Sequence, residues 1–255
     1  MSEQKDITAS ILIIGNEILS GMVDDQNIQF IASRLIHMGI ELKEVRIIPD
    51  IEDDIVQNVN YLRKKYDYVF TTGGIGPTHD DITTSSIASA FGVTLYLEPN
   101  SYKEISRYYE DVGLDLNEAR KKMAIIPEGS TLISNDISKA PGFFLENVFV
   151  MAGIPHIMQN MFLDVEKRLI KSSPILIKSY NVEAGESMIA EILTNLQNQY
   201  PEVEIGSYPF KVDGQYHTNI VFKSKDTINL HKSMGEFALF MSEMKIKYRI
   251  KQDQS

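Results

Sequence analysis

Apolar positions along the chain alternate between two rhythms. The run "ASILIIGNE" is β-branched and unbroken until Gly15, the pattern of a strand buried on both faces. Ile28, Ile31, Leu35 and Met38 then recur at helical spacing, and Gly39 stands where a C-terminal cap belongs. The alternation repeats. "ELKEVRIIP" predicts a second strand, Ile55, Val59 and Leu62 a second helix, "YDYVFTTGG" a third strand and "TTSSIASAFG" a third helix, with "VTLYLEP" extending the sheet. Strands alternating with helices need crossover connections, so this part of the chain predicts an α/β layered domain around a parallel sheet.

Further on, "NEARKKMAIIPEG" predicts a helix ending in a turn, and "SKAPGFFLENVFVMAGIP" a pair of strands broken at Asn147. Ile157, Met158, Met161, Val165 and Leu169 mark another helix, with methionine as core filler. "KSSP", Lys171 to Pro174, reads as a linker that separates residues 1–170 from residues 175–250. The second segment predicts a strand (175–182), a helix (186–200), strands at "VEIGSYPF" and "YHTNIVFKS", and a final helix from about Thr227 to Met244. That order is a small α+β domain of split βαβ type.

Composition narrows the possible functions. With 255 residues, 43% of them hydrophobic, the chain can build one large core or two modest ones. A net charge of −10 with scattered basic residues speaks against nucleic acid as a partner, although backbone amides or a metal can still hold a small phosphorylated ligand. The absence of cysteine excludes disulfides, thiolate metal sites and cysteine nucleophiles. "MSEQKDITASILII" lacks the basic start and long apolar core of a signal peptide, and no apolar run reaches bilayer length. The expectation is a cytoplasmic protein with no membrane partner.

Ligands of open α/β sheets bind beyond the carboxyl ends of the strands. Gly15-Asn16-Glu17, Pro49-Asp50 and Gly73-Gly74-Ile75-Gly76 all punctuate that edge. A glycine run between strand and helix lets the backbone approach an anion and offers it amide hydrogens at the positive helix end, so it reads as a phosphate cradle. It is not the dinucleotide fingerprint, since His79 stands where a third glycine belongs, and no Gly-Lys-Ser/Thr makes it a P-loop. Asp80 and Asp81 follow. One aspartate can cap the next helix; a second beside a phosphate suits a hard divalent cation. Glu17, Asp24, Asp25 and Asn27 belong to the turn after the first strand, where any of Asp24, Asp25 and Asn27 could be a helix cap. Together with Asp80 and Asp81 they predict an acidic site balanced by a cation or a proton. His79 reads as a general base, a ligand or a hydrogen-bonding bystander, and Arg120 to Lys122 as a phosphate contact or a solvated face.

"ILIIGNEILSGMVDDQN" followed by "TTGGIGPTHDDIT" resembles the molybdopterin-binding (MoaB/Mog-like) domain in the branch of competence/damage-inducible protein A, CinA, shared with the N-terminal part of eukaryotic FAD synthases. "NEARKKMAIIPEG", "NDISKAPGF" and "VFVMAGIPHIMQNM" extend the resemblance over about residues 8–165, and "GSYPF" resembles the branch's small second domain. The resemblance implies a three-layer α/β fold that binds molybdopterin or a nucleotide, and metal-dependent pyrophosphatase activity on ADP-ribose. By position it implies ligand binding by Gly73, Gly74 and Gly76 with Pro77 and Thr78, by Asn27, and by Asn135, Pro141 and Gly142, which would close the pocket. Asp81 and Asp25 take the catalytic positions and, with Asp80 and Glu17, would hold Mg²⁺, Mn²⁺ or Co²⁺. The family's tendency to oligomerise, with 11 methionines and 11 phenylalanines here, suggests a homo-oligomer. Asp80 replaces an arginine usual in pterin-adenylylating enzymes, and the segment after residue 170 does not resemble the amidohydrolase domain often attached to CinA. The expected function is therefore metal-dependent hydrolysis of a nucleotide diphosphate of ADP-ribose or FAD type. The alternative is a non-catalytic molybdopterin or flavin binder, or a molybdenum cofactor biosynthesis factor.

Overall fold

The computed structural model describes residues 6–251; the polar stretch before Asp6, part of the expectation that no signal peptide is present, lies outside the described residues. The chain forms two compact units. One runs through Ser172 without Ile36–Gly39, and the other takes that short segment together with the chain from Ser173.

In chain order the part through Ser172 contains β1 (Ile7–Ile14), α1 (Asn16–Leu19), α2 (Asn27–His37, whose last two residues are counted with the other unit), β2 (Ile40–Ile48), α3 (Glu52–Lys65), β3 (Tyr68–Thr72) and α4 (Thr83–Phe91). These are followed by β4 (Leu95–Leu97), α5 (Pro99–Asp111), α6 (Glu118–Lys122), β5 (Ile125–Pro127), β6 (Thr131–Ile133), β7 (Gly142–Leu145), β8 (Val148–Met151) and α7 (Pro155–Val165). The main sheet has the order β2-β1-β3-β8-β7-β6. Its first four strands are parallel, while β7 runs against β8 and β6 against β7.

The unbroken apolar run of β1 is explained by burial on both faces. On one, Leu12 and Ile14 meet Ile55, Val59 and Leu62 of α3 and Ile87 of α4. On the other, Phe70 of β3 packs against Phe149 of β8 and Phe162 of α7, with ring centroids 5.5 and 5.6 Å away, and Phe30 of α2 meets Phe162 edge-on at 5.9 Å. The layers are thus α3 and α4, the sheet, then α2 and α7. Each fully buried large side chain contributes about 1.5–3 kcal/mol.

One expectation changes. The segment "VTLYLEP" does not extend the main sheet: among the described residues β4 pairs with β5 alone, in a two-stranded ribbon. All its residues are exposed, so nothing in its own pattern names a partner. The helix α5, to which no element was assigned from the sequence, turns one face inward around Ser101 and Ile105 and has a marked start. Pro99 occupies the first turn, and the Glu98 carboxylate accepts the Ser101 N–H at 2.5 Å.

The second unit contains β9 (Leu176–Val182), α8 (Glu186–Gln199), β10 (Glu204–Val212), β11 (Gln215–Ser224), α9 (Thr227–Glu243) and β12 (Tyr248–Lys251), the last not anticipated from the sequence. Its sheet is antiparallel, in the order β10-β11-β9-β12. Asp213 and Gly214, with φ of 48° and 81°, make the two-residue turn between β10 and β11. Tyr180, Val182, Ile220 and Phe222 form one core with Ile189 and Leu196 of α8 and Leu230, Phe237 and Met241 of α9. Both helices therefore cover the same face of the sheet. The fold class is α/β with a parallel-dominated sheet, plus a small α+β unit. Among the described residues no helix is long and apolar enough to cross a membrane.

Candidate functional site

The parallel strands β1, β2, β3 and β8 end side by side. Gly15 N–H donates to Ile48 O and Gly73 N–H to Met151 O, both at 3.1 Å, tying the strand ends together. The chain crosses itself here without room for side chains. A Cβ on Gly73 (φ 106°) would stand 2.0 Å from Ile14 O, and one on Gly74 (φ 69°) 2.1 Å from Thr83 Oγ1. Thr83 N–H, opening α4, donates to Gly74 O at 2.9 Å. Among the described residues the N–H groups of Gly74, Ile75 and Gly76 donate to no protein acceptor. Consecutive unpaired amides leading to a helix N-terminus are suited to an anion.

Asp81 does not cap α4, whose cap position is Ile82 and has no side-chain cap bond. Its Oδ2 instead accepts the Thr78 N–H at 2.8 Å and the Thr78 hydroxyl at 2.5 Å, closing the loop on itself. A Cβ on Gly76 would lie 2.6 Å from that oxygen, so a side chain here would have to displace the aspartate. Asp80 is exposed; hydrogen bonding to Thr78 and to its own backbone holds its carboxyl below the usual carboxylate range. The His79 side chain is 99% exposed and 3.9 Å from Asp80, the position of a bystander.

Lys122, at the end of α6, reaches across to this loop. Its Nζ donates to Thr78 O at 2.7 Å and to Asp81 O at 2.8 Å. Of the three basic residues in "ARKK", it alone meets the loop: Lys121 pairs with Glu118, and Arg120 lies over the Tyr109 ring. Its clamping role was not legible from the sequence.

In the turn after β1, Asp25 Oδ1 accepts the Ile28 N–H at 2.8 Å and so caps α2. Asn27 is 97% buried, its relative exposure being 3%. Its Nδ2 donates to Gly153 O at 2.8 Å and to Thr72 Oγ1 at 3.4 Å, while its Oδ1 has no partner among the described residues. Glu17, Asp24, Asp25, Asn27, Thr72 and Gly153 line a recess of about 40 Å³, room for an ion or a water but not for a base. Asp50 adds an unanticipated contact by accepting the Asn16 N–H at 3.0 Å.

The predicted acids are therefore divided. Among the described residues no three Asp, Glu or His side chains gather into a metal-holding group. Glu17 and Asp25 face the recess, whereas Asp80 and Asp81 sit in the glycine loop. The cause is local, since Asp25 is drawn to a helix amide and Asp81 to Thr78. Three further expected ligand residues are engaged otherwise. Asn135 donates to Ser138 Oγ and Ala140 O at 2.6 and 2.7 Å and accepts from the Ile137 and Ser138 amides, so its carboxamide is saturated by its own loop. With Pro141 it lines a different cavity, of about 190 Å³. Gly142 opens β7, where a Cβ would stand 2.4 Å from Val150 O, so strand packing accounts for it.

A mostly parallel sheet covered by helices on both faces, with a glycine loop and acidic turns at its strand ends, defines a layered α/β protein. Residues 10–171 match the family described as probable molybdopterin binding domain, and residues 174–249 match the FAD synthase middle domain. The chain belongs to the probable molybdopterin binding domain family. A protein of Archaeoglobus fulgidus is 33% identical over 91% of this chain and 97% of its own length. A putative competence-damage inducible protein of Natranaerobius thermophilus is 31% identical over 88% of this chain, but only 57% of that protein is matched. The crystal structure of the protein CinA with unknown function from Thermoplasma acidophilum is similar at a TM-score of 0.59 and 30% identity, covering 63% of this chain and 98% of that one.

Proposed function

We propose that the first unit binds a phosphorylated pterin- or nucleotide-type ligand at the strand ends and hydrolyses the diphosphate of an ADP-ribose- or FAD-type nucleotide with a divalent cation. One observation carries this reading: among the described residues the amides of Gly74, Ile75 and Gly76 are unpaired, in a loop whose Gly74 carbonyl accepts the first N–H of α4 and which ends in two aspartates. The amides would hold phosphate oxygens; Asp81, by closing the loop onto Thr78, keeps them in position.

The donor set fits a hard cation. Every candidate ligand is oxygen, and among the described residues the buried Asn27 Oδ1 beside Asp25 and Glu17 has no partner. Mg²⁺, Mn²⁺ or Co²⁺ could draw on Glu17, Asp25 and Asn27 on one side or Asp80 and Asp81 on the other, and complete its shell with water and phosphate. When bound, the cation would neutralise the diphosphate and lower the pKa of an attacking water. The engagement of Asp25 and Asp81 with backbone amides favours a second reading, a molybdopterin or flavin binder or cofactor biosynthesis factor without turnover.

Purified chain incubated with ADP-ribose, FAD, NAD or molybdopterin and each of the three metals separates the readings. Hydrolysis is expected for a nucleotide diphosphate, and Asp81→Asn is expected to lower it at least about a hundredfold with the fold intact. Binding without product in every arm would establish the second reading. A lowered melting temperature with unchanged turnover would reduce Asp81 to a loop residue.

A further inference from the structure

The second unit has α8 and α9 on one face of its sheet, and the other face carries an ordered set of side chains that the core does not use. Register places Tyr208 of β10 opposite Asn219 of β11, Asn219 opposite Asn181 of β9, and Asn181 opposite Arg249 of β12. Residues so paired share a face, and their neighbours along the strands, such as Ile220, Tyr180 and Val182, point into the core. A single row across the sheet therefore reads phenol, carboxamide, carboxamide, guanidinium. Three strand spacings make it roughly 14 Å long. Lys251, two residues after Arg249, adds a second cation to the same face and end.

The row is free to bind. Tyr208 is 59% exposed, and its ring lies against Gly206, where a Cβ would come within 3.0 Å of it; the glycine lets an aromatic ring lie along the sheet. Among the described residues the side chains of Asn181, Asn219, Arg249 and Lys251 make no hydrogen bond or ion pair. Lys223, farther along this face, is by contrast paired with Glu204 at 2.8 Å.

We infer that this face binds a nucleoside diphosphate. The base stacks on Tyr208, the ribose hydroxyls bond to the carboxamides of Asn219 and Asn181, and the diphosphate meets Arg249 and Lys251. The row matches such a ligand in sequence of chemistry as well as in length: a flat π system, neutral donors and acceptors, then two cations for a dianionic or trianionic group. A nucleic-acid strand would need cations along its whole path, and here they stand only at one end of the row, in a chain of net charge −10.

The test must show where the nucleotide sits, because the first unit is also read as a nucleotide site. Full-length chain is photolabelled with 8-azido-ADP and the labelled peptides are mapped, with ADP and adenosine as competitors. Label is expected on β10 or β11. Tyr208→Ala should weaken ADP at least about fivefold, the lower end of base–aromatic stacking, and Tyr208→Phe should retain it. Arg249→Gln should weaken ADP while leaving adenosine unchanged. Label confined to the glycine loop of the first unit, or labelling of β10 indifferent to Tyr208→Ala, would overturn the inference. Displacement by a single-stranded oligonucleotide at lower concentration than by ADP would also overturn it.

Discussion

Lys122 shows how one side chain can set the geometry of a loop it does not belong to. An ammonium has three donors, and two of them here join Thr78 O and Asp81 O, the carbonyls that bracket His79 and Asp80. Lys122→Met is expected to speed proteolytic cleavage between Pro77 and Asp81, followed by mass spectrometry, and to lower the melting temperature by only a few degrees, as for a local opening. Glu44 makes a different case. Hydrogen bonds from the Tyr66 hydroxyl, the Lys65 ammonium and the Arg46 guanidinium hold its carboxyl at about 2, against an ordinary value of 4.5. A carboxyl depressed on folding stabilises fully above its unfolded value and progressively less as pH falls toward the folded one. Urea unfolding of Glu44→Gln should thus show less loss of stability than the parent between pH 5 and pH 2, by a modest amount because the cluster is open to solvent.

Among the elements, the glycine loop was the most legible part of the site, because a backbone conformation that excludes side chains leaves its mark directly on composition. Carboxylate direction leaves no such mark. Asp25 and Asp81 lie in the two turns, but which amide each turns toward depends on where Ile28 and Thr78 lie once the turns close. The same holds for Asn135, whose amide is completed by the loop it starts. The strands β1, β3 and β8 and the helices α2, α3 and α4 were readable from their period; β4 was not assignable to a sheet, since pairing is a property of two segments and its own residues are exposed. Gly74 and Gly92 test the loop quantitatively. Both have φ near 70°, but a Cβ on Gly92 meets nothing within 4 Å. Gly92→Ala should therefore cost only the backbone term, about 1–2 kcal/mol, and Gly74→Ala more in urea unfolding, the excess reporting the contact with Thr83.

For the whole molecule, the family matches and the compact units divide the chain at nearly the same place, between residues 171 and 174 in one case and at Ser172 and Ser173 in the other. Apolar period stops there, and serines and a proline intervene. The units differ in how their sheets are closed. In the second, the longest pair, β10 with β11, is joined by a two-residue turn and can zip up as soon as it is made. In the first, β3 lies in the middle of the sheet beside β8, so Val69 must find Val148. Such non-local pairings are slow to form because the intervening chain has to be closed into a loop first. During synthesis, β3 accordingly presents a bare strand edge until β8 has left the ribosome, and throughout that interval the nascent first unit can pair with a neighbouring chain or require a chaperone.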